Sequence, residues 1–333
     1  MNDSTSRRYK GTLLERAAEH YHFGVPVAPA VEVRERSAPV PAPAPAAPPA
    51  PAPQPAFEKA QAPEGPTIRR GSEVRDVPDH PAPRSAAPGR RRVAIDRERL
   101  SELGMIVPGS AVTPLAEEFR LVKRQLLLTA RAVAGADADR ARMVLVCSAR
   151  QNEGKTFCAI NLALSMAAEK DFEILLVDAD FAKPDILKRL GADEGPGLLD
   201  ALSGSISDVE ECILDTDIPQ LSILPAGTKS ANDTELLASD RARAVLDALA
   251  AANSRRIVIF DSPPVLAASP ASVLALHVGQ VMLVVRADQT NEGDLREAVA
   301  MVDACEHIQL VLNGVSFQPS GYRFGSYYGE AAK

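Results

Sequence analysis

A chain of 333 residues with 46% hydrophobic and 24% charged residues carries enough apolar material for a sizeable core, which excludes a wholly disordered or fibrous protein. Its length suits one large domain with attachments. Formal net charge is −7, from 44 acids against 37 bases, so no global positive field exists to hold a nucleic-acid backbone, and nucleic acid is not an expected partner.

The first 24 residues contain no apolar signal region or small-residue cleavage site. Leu13, Leu14, Ala17, Ala18 and Tyr21, spaced by three and four, predict a short helix over 9–23 that either docks on a partner or frays. Residues 25–95 change character, with PVPAPAPAAPPAPAPQPA at their centre. Proline removes amide donors and favours polyproline II, so this stretch reads as a disordered, semi-stiff linker. The cluster Arg90, Arg91 and Arg92 near its end reads as a solvated run with no specific role. The four cysteines, Cys147, Cys158, Cys212 and Cys305, lack metal-site spacing and are expected as reduced core thiols. Without an apolar run of membrane-spanning length, the protein is expected to be cytoplasmic.

Beyond residue 110 short apolar runs alternate with helical segments. MVLVC (143–147), ILLV (174–177), LSIL (221–224), IVIF (257–260), VMLVV (281–285) and IQLVL (308–312) have the branched, nearly continuous character of strands buried on both faces. Helices are expected at 155–169, 184–191, 233–251, 268–276 and 291–304. The alternation predicts a three-layer α/β nucleotide-binding fold with a mainly parallel sheet, placing chemistry at the carboxyl ends of the strands.

The first of these strands runs into Ser148-Ala149-Arg150-Gln151-Asn152-Glu153-Gly154-Lys155-Thr156 and then a helical segment. A phosphate cradle needs inward-turned amides, a lysine for the β and γ oxygens, and a hydroxyl for Mg²⁺ at the helix start. Gly154, Lys155 and Thr156 supply these, although Ala149 stands where the GxxxxGK[ST] pattern has its first glycine. Asp178 and Asp180 follow the second run and Asp261 the fourth, so three carboxylates converge on strand ends. With Thr156 they suit one Mg²⁺, which favours oxygen ligands and retains waters and phosphate oxygens. Asn313, after the last run, stands where related P-loop proteins read the base, and is equally compatible with a turn.

ARQNEGKT, ILLVDADFAKP and IVIFDSPP, in this order, resemble the phosphate loop, second aspartate motif and Walker B strand of bacterial tyrosine kinases of exopolysaccharide biosynthesis. The resemblance covers roughly residues 110–330 and is nearest to the XrtA/PEP-CTERM-associated tyrosine autokinases, whose wording is similar to Leu224-Pro225-Ala226-Gly227 and Glu235-Leu236-Leu237-Ala238-Ser239. Many members carry Pro-Gly where Gln151-Asn152 stand and Arg where Ala182 stands, with Lys183 here as the neighbouring charge. Asn152 can adopt the left-handed backbone that glycine would supply.

The resemblance implies an ATP- and Mg²⁺-dependent protein-tyrosine autokinase with a P-loop NTPase kinase domain over 96–316. Lys155 would neutralise the transferring phosphate, and one of Asp178 and Asp180 would help remove the tyrosine proton while the other binds metal. Metal ligation falls to Thr156, Asp180 and Asp261, and nucleotide binding to Asn152, Glu153, Gly154, Lys155, Thr156, Phe157 and Asn313. Tyr322, Tyr327 and Tyr328, in a glycine-containing tail over 317–333, would be the phosphoacceptors. Glu117, Arg120 and Lys123 occupy a helix motif that joins protomers of a ring phosphorylating itself in trans. The family further implies a separate inner-membrane polysaccharide chain-length determinant as activator, a tyrosine phosphatase, and peripheral attachment to the inner membrane through that partner. Two alternatives remain: a MinD/ParA-like regulatory ATPase, against which Arg150 in place of a signature lysine argues, and a nucleotide-binding adaptor of the assembly machinery.

Overall fold

The computed structural model describes residues 90–315 apart from 136 and 231. The expected helix at 9–23, the linker up to residue 89 and the tail bearing Tyr322, Tyr327 and Tyr328 lie outside the described residues.

The described chain forms β1 (Arg92–Val93), α1 (Arg97–Glu102), α2 (Pro114–Val133), β2 (Met143–Ser148), α3 (Lys155–Met166), β3 (Glu173–Asp178), α4 (Ile186–Leu190), α5 (Leu198–Ser203), β4 (Leu214–Thr216), β5 (Leu221–Leu224), α6 (Asp233–Leu237), α7 (Asp240–Ala251), β6 (Arg256–Asp261), α8 (Pro270–Ala275), β7 (Gln280–Arg286), α9 (Glu292–Met301) and β8 (Ile308–Asn313). The eight described strands make one sheet in the order β1-β4-β5-β3-β6-β2-β7-β8. Neighbours are parallel except β4 and β5. Period-two alternation divides the core between the faces: Met143, Leu145 and Cys147 of β2 face the α5–α9 layer, while Val144 and Val146 face α1–α4. This is the three-layer, mainly parallel P-loop NTPase architecture expected. All four cysteines are free and buried; burial pushes the Cys158 thiol up to about 12, which leaves it inert.

Several local expectations are corrected. Arg92–Val93 pairs with β4, and Ile95 is buried, so the sheet begins within the stretch assigned to the linker. The arginine run has structural roles: Arg90 pairs with Glu210 and Asp215, and Arg91 donates to the Asp193 and Glu194 carbonyls. The helix expected over 233–251 is two, because the Ser239 hydroxyl accepts from Ala242 N at 3.1 Å and starts α7 afresh. The run at 308–312 is not buried on both faces. It is the edge strand β8, with Leu310 and Leu312 exposed. The short elements β1, α1, β4 and α5 carry too few residues to show a period.

Candidate active site

Sheet register brings the carboxylates together before any side chain is considered. Val146 of β2 lies beside Asp261 of β6, and Asp178 of β3 lies beside the same Asp261. The loop after β2 therefore opens beside two adjacent acidic strand ends, those of β6 and β3. The N-cap position of α3 is Gly154, whose φ of 97° is left-handed and which offers no side-chain hydrogen bond. The first amides of α3 are thus left for a ligand to satisfy. The left-handed φ favours glycine there, and a Cβ would also meet Asn313 Nδ2 at 2.1 Å and displace that side chain. Asn152 has φ 65°, the left-handed backbone expected of it.

Lys155 is the centre of the cluster. Its ammonium lies 2.6 Å from Asp180 Oδ2, 3.4 Å from Thr156 Oγ1 and 4.0 Å from Asp261 Oδ1. Burial opposes its charge, but Asp261 and Asp180 outweigh that penalty and hold the ammonium above its ordinary range. Asp261 is 1% exposed, and its Oδ1 has no hydrogen-bond partner. Burial raises the Asp261 carboxyl to about 6, opposed by Lys155 and Thr156.

Asp178 is placed differently from the expectation. One oxygen accepts from Asp180 N at 3.3 Å and the other from Asp185 N and Ile186 N, both at 3.1 Å. Burial, then the charge of Asp261, raises its carboxyl to about 7. It stands behind the cleft and organises the turn into α4, whereas Asp180 lines the cleft and accepts from Lys183 N at 3.1 Å.

The cleft itself has a volume of about 360 Å³ at the carboxyl ends of the strands. Asn152, Gly154, Lys155, Thr156, Phe157 and Asp180 form one side, and Pro263, Pro264, Ala267 and Ala268 an apolar wall. A larger cavity of about 670 Å³, bordered by Arg120, Lys123, Leu164 and Pro219, lies at the amino-terminal end of the sheet, away from this chemistry. The donor set fits Mg²⁺: Thr156 and Asp180 face the cleft, and the unpartnered Asp261 oxygen awaits a proton, a water or an ion. Among the described residues no group of three or more His, Cys, Asp or Glu side chains could hold a metal, so phosphate and water oxygens would complete the shell.

Other expected site residues have other partners. Glu153 is 3% exposed and turned away from the cleft: Oε2 accepts from Arg150 N at 2.7 Å and Oε1 from the Thr290 hydroxyl. Asn313 donates from Nδ2 to the Glu153 carbonyl at 2.9 Å and so braces the loop from outside. Lys123 does not present a charged edge. It is buried against α3, with Nζ 3.1 Å from the Ser165 carbonyl and 2.6 Å from Glu169, because its long stem carries the charge to the C-terminal end of that helix. Glu117 and Arg120 pair with each other on the surface of α2. Thr290 and Asp294 were not legible as site residues. Their partners lie more than a hundred positions away, and no local period marks them. Asp294 grips the Arg150 guanidinium by a bidentate pair, with Nη2 to Oδ1 at 2.8 Å.

The AAA domain family profile matches residues 142–309. The chain is 31% identical over 179 residues to the tyrosine-protein kinase wzc of Salmonella typhi, covering 53% of this chain and 24% of that protein. It is 29% identical over 217 residues to the tyrosine-protein kinase YwqD of Bacillus subtilis, covering 64% of this chain and 86% of that one. The kinase domain of the Escherichia coli tyrosine kinase ETK shares the fold, with a TM-score of 0.53 and 23% identity over 69% of this chain and 93% of that domain. The chain spans about a quarter to a third of the length of the first curated relatives it matches. No described helix is long and apolar enough to cross a membrane.

Proposed function

Because the chain belongs to the AAA domain family, we propose that its cleft binds ATP with Mg²⁺ and transfers the γ-phosphoryl group to tyrosine, acting as a protein-tyrosine autokinase in exopolysaccharide polymerisation or export. The observation that carries this reading is Lys155 held 2.6 Å from Asp180 and 4.0 Å from the Asp261 oxygen that has no hydrogen-bond partner, at the mouth of an uncapped helix. Similarity to relatives named tyrosine-protein kinases supports the reaction class.

Phosphoryl transfer asks mainly for positioning and charge stabilisation. The start of α3 supplies amides for phosphate oxygens, and Lys155 exchanges Asp180 for the γ-phosphate. Thr156, Asp180 and Asp261 would hold Mg²⁺, which offsets charge on the bridging oxygens when bound. Of the two aspartates after β3, Asp180 is the one that lines the cleft, where an acceptor hydroxyl would enter, whereas Asp178 accepts from three backbone amides of the turn. Geometry ranks ahead of pKa in choosing a base. Asp180 would therefore take both roles, one oxygen facing the metal and the other the tyrosine proton, while Asp178 shapes the 178–186 turn.

Tyr322, Tyr327 and Tyr328 are the proposed acceptors, reached in trans within a homo-oligomer, with a separate inner-membrane chain-length determinant as activator and a tyrosine phosphatase as antagonist. Lys123, buried against α3, is not offered to a ring contact, whereas Glu117 and Arg120 remain available. A MinD/ParA-like switch finds less support, because Arg150, at the position of the signature lysine, is committed to Asp294 of the same chain.

Incubating the full chain with labelled ATP and Mg²⁺ and probing phosphotyrosine tests the proposal. Tail label is expected, and changing the three tail tyrosines to Phe should remove most of it while sparing ATP hydrolysis. Free phosphate without phosphotyrosine would identify a switch ATPase, and neither product an adaptor.

A further inference from the structure

Glu153, Arg150, Thr290, Asp294 and Asn313 form a network on the outer side of the phosphate loop that the reaction itself does not use. We infer that Glu153 is a positioning residue whose buried carboxylate clamps the loop backbone to the β7–α9 connection, so that nucleotide affinity depends on Thr290 and Asp294. The inference rests on the nucleotide site proposed above and deepens it.

The Thr290 hydroxyl oxygen accepts from Arg286 N at 2.9 Å, which leaves its proton for Glu153 Oε1. The other carboxylate oxygen takes the Arg150 amide at 2.7 Å and closes the loop on itself. On the far side of the same residue, the Glu153 carbonyl is held by Asn313 Nδ2 at 2.9 Å. The peptide unit is planar and trans, so a carbonyl fixed toward Asn313 turns the Gly154 N–H the opposite way. Gly154 lines the cleft, and its amide is therefore presented to a phosphate oxygen without waiting for ligand. Asp294 holds the neighbouring Arg150 by its guanidinium and is itself held by Asn291 Nδ2 at 2.8 Å. The arrangement also explains how a loop with Ala149, 1% exposed, in place of the usual first glycine keeps its shape: the restraint comes from the crossover after the neighbouring strand β7.

The test uses the full chain, a fluorescent ADP analogue with Mg²⁺ for affinity, melting temperature for fold, and phosphotyrosine formation at saturating ATP for rate. Glu153→Ala is expected to raise the analogue Kd by about tenfold or more while the saturated rate changes by less than about threefold, a loss of uniform binding. Thr290→Val should weaken binding by about threefold to tenfold, and Thr290→Ser should restore it to within about twofold, at equal melting temperatures. The Thr290 pair carries the test if Glu153→Ala does not fold. Unchanged affinity in Glu153→Ala, equal affinities for Thr290→Val and Thr290→Ser, or a fall in saturated rate with Kd unchanged would each overturn the inference. Absence of analogue binding by the wild-type chain would instead overturn the nucleotide site.

Discussion

The two ends of α3 each carry a lysine drawn toward carboxylates, one buried and one half-buried, and the groups around the two lysines are satisfied to different degrees. At the C-terminal end Lys123 reaches in from α2 and finds a carbonyl and a carboxylate, Ser165 and Glu169, which together complete its charge. At the N-terminal end Lys155 lies between Asp180 and Asp261, and one oxygen of Asp261 is left with no hydrogen-bond partner. Folding alone would favour closing that gap, since a buried polar atom left unpaired costs about 1–3 kcal/mol. The incomplete end is where a ligand has something to add.

The most severe way to break the comparison is to remove each lysine in turn. Lys155→Met is expected to abolish phosphotyrosine, a loss of at least about 10³-fold, with the fold retained. Lys123→Met should do the reverse, lowering unfolding free energy by about 1–3 kcal/mol while nucleotide affinity stays within about twofold. Radiolabel transfer and urea denaturation of both variants check the pair. Equal loss of activity in the two would mean that the ends are not distinct.

Asp261→Asn sharpens the contrast through pH. The folded carboxyl is raised to about 6 from an ordinary value of 3.8, so the native state binds this proton more tightly than the unfolded chain does. Its stabilising contribution is complete below about pH 4 and is lost as pH rises through about 6. Above that, in metal- and nucleotide-free buffer, the wild type retains a buried charge that the amide variant lacks. Asp261→Asn is therefore expected to be more stable than wild type at pH 8 by on the order of 1–3 kcal/mol, with the difference vanishing toward pH 4. The same variant should lose activity. A pH-independent difference in denaturation midpoint would show that Asp261 is paired in solution.

At the opposite end a smaller effect is expected. Glu169 is 42% exposed, so Glu169→Gln removes a partly screened partner and should cost no more than about 1 kcal/mol, less in high salt. Denaturation at low and high salt measures it.

The strand ends were legible in sequence because chemistry and period coincide there. IVIF followed by Asp261, and MVLVC followed by the GKT turn, each place a charge at the end of a branched apolar run, and β6 and β2 duly pair side by side. Direction was not legible. DADFAKP puts Asp178 and Asp180 two apart, and only the turn into α4 decides that the first faces backbone amides and the second faces the cleft. Lys123 was misread for a related reason: spacing gives the helix face but not how far a flexible stem bends. The clasp of Glu153 on Thr290 joins residues 137 positions apart in sequence and is a product of β2–β7 pairing, which no local pattern encodes.

The finest test concerns the backbone that leads into α3. Asn152 at φ 65° carries the strain of a left-handed L-residue and also borders the cleft, so conformation and contact are confounded. Glycine separates them. If conformation is its task, Asn152→Gly should leave stability and nucleotide affinity near wild type, within about 0.5 kcal/mol, while Asn152→Ala costs about 1 kcal/mol. Affinity lost equally in both variants would mean that the carboxamide touches the nucleotide. The amide-lined turn would then owe part of its binding to a side chain, and the uncapped end of α3 would be less self-sufficient than its geometry suggests.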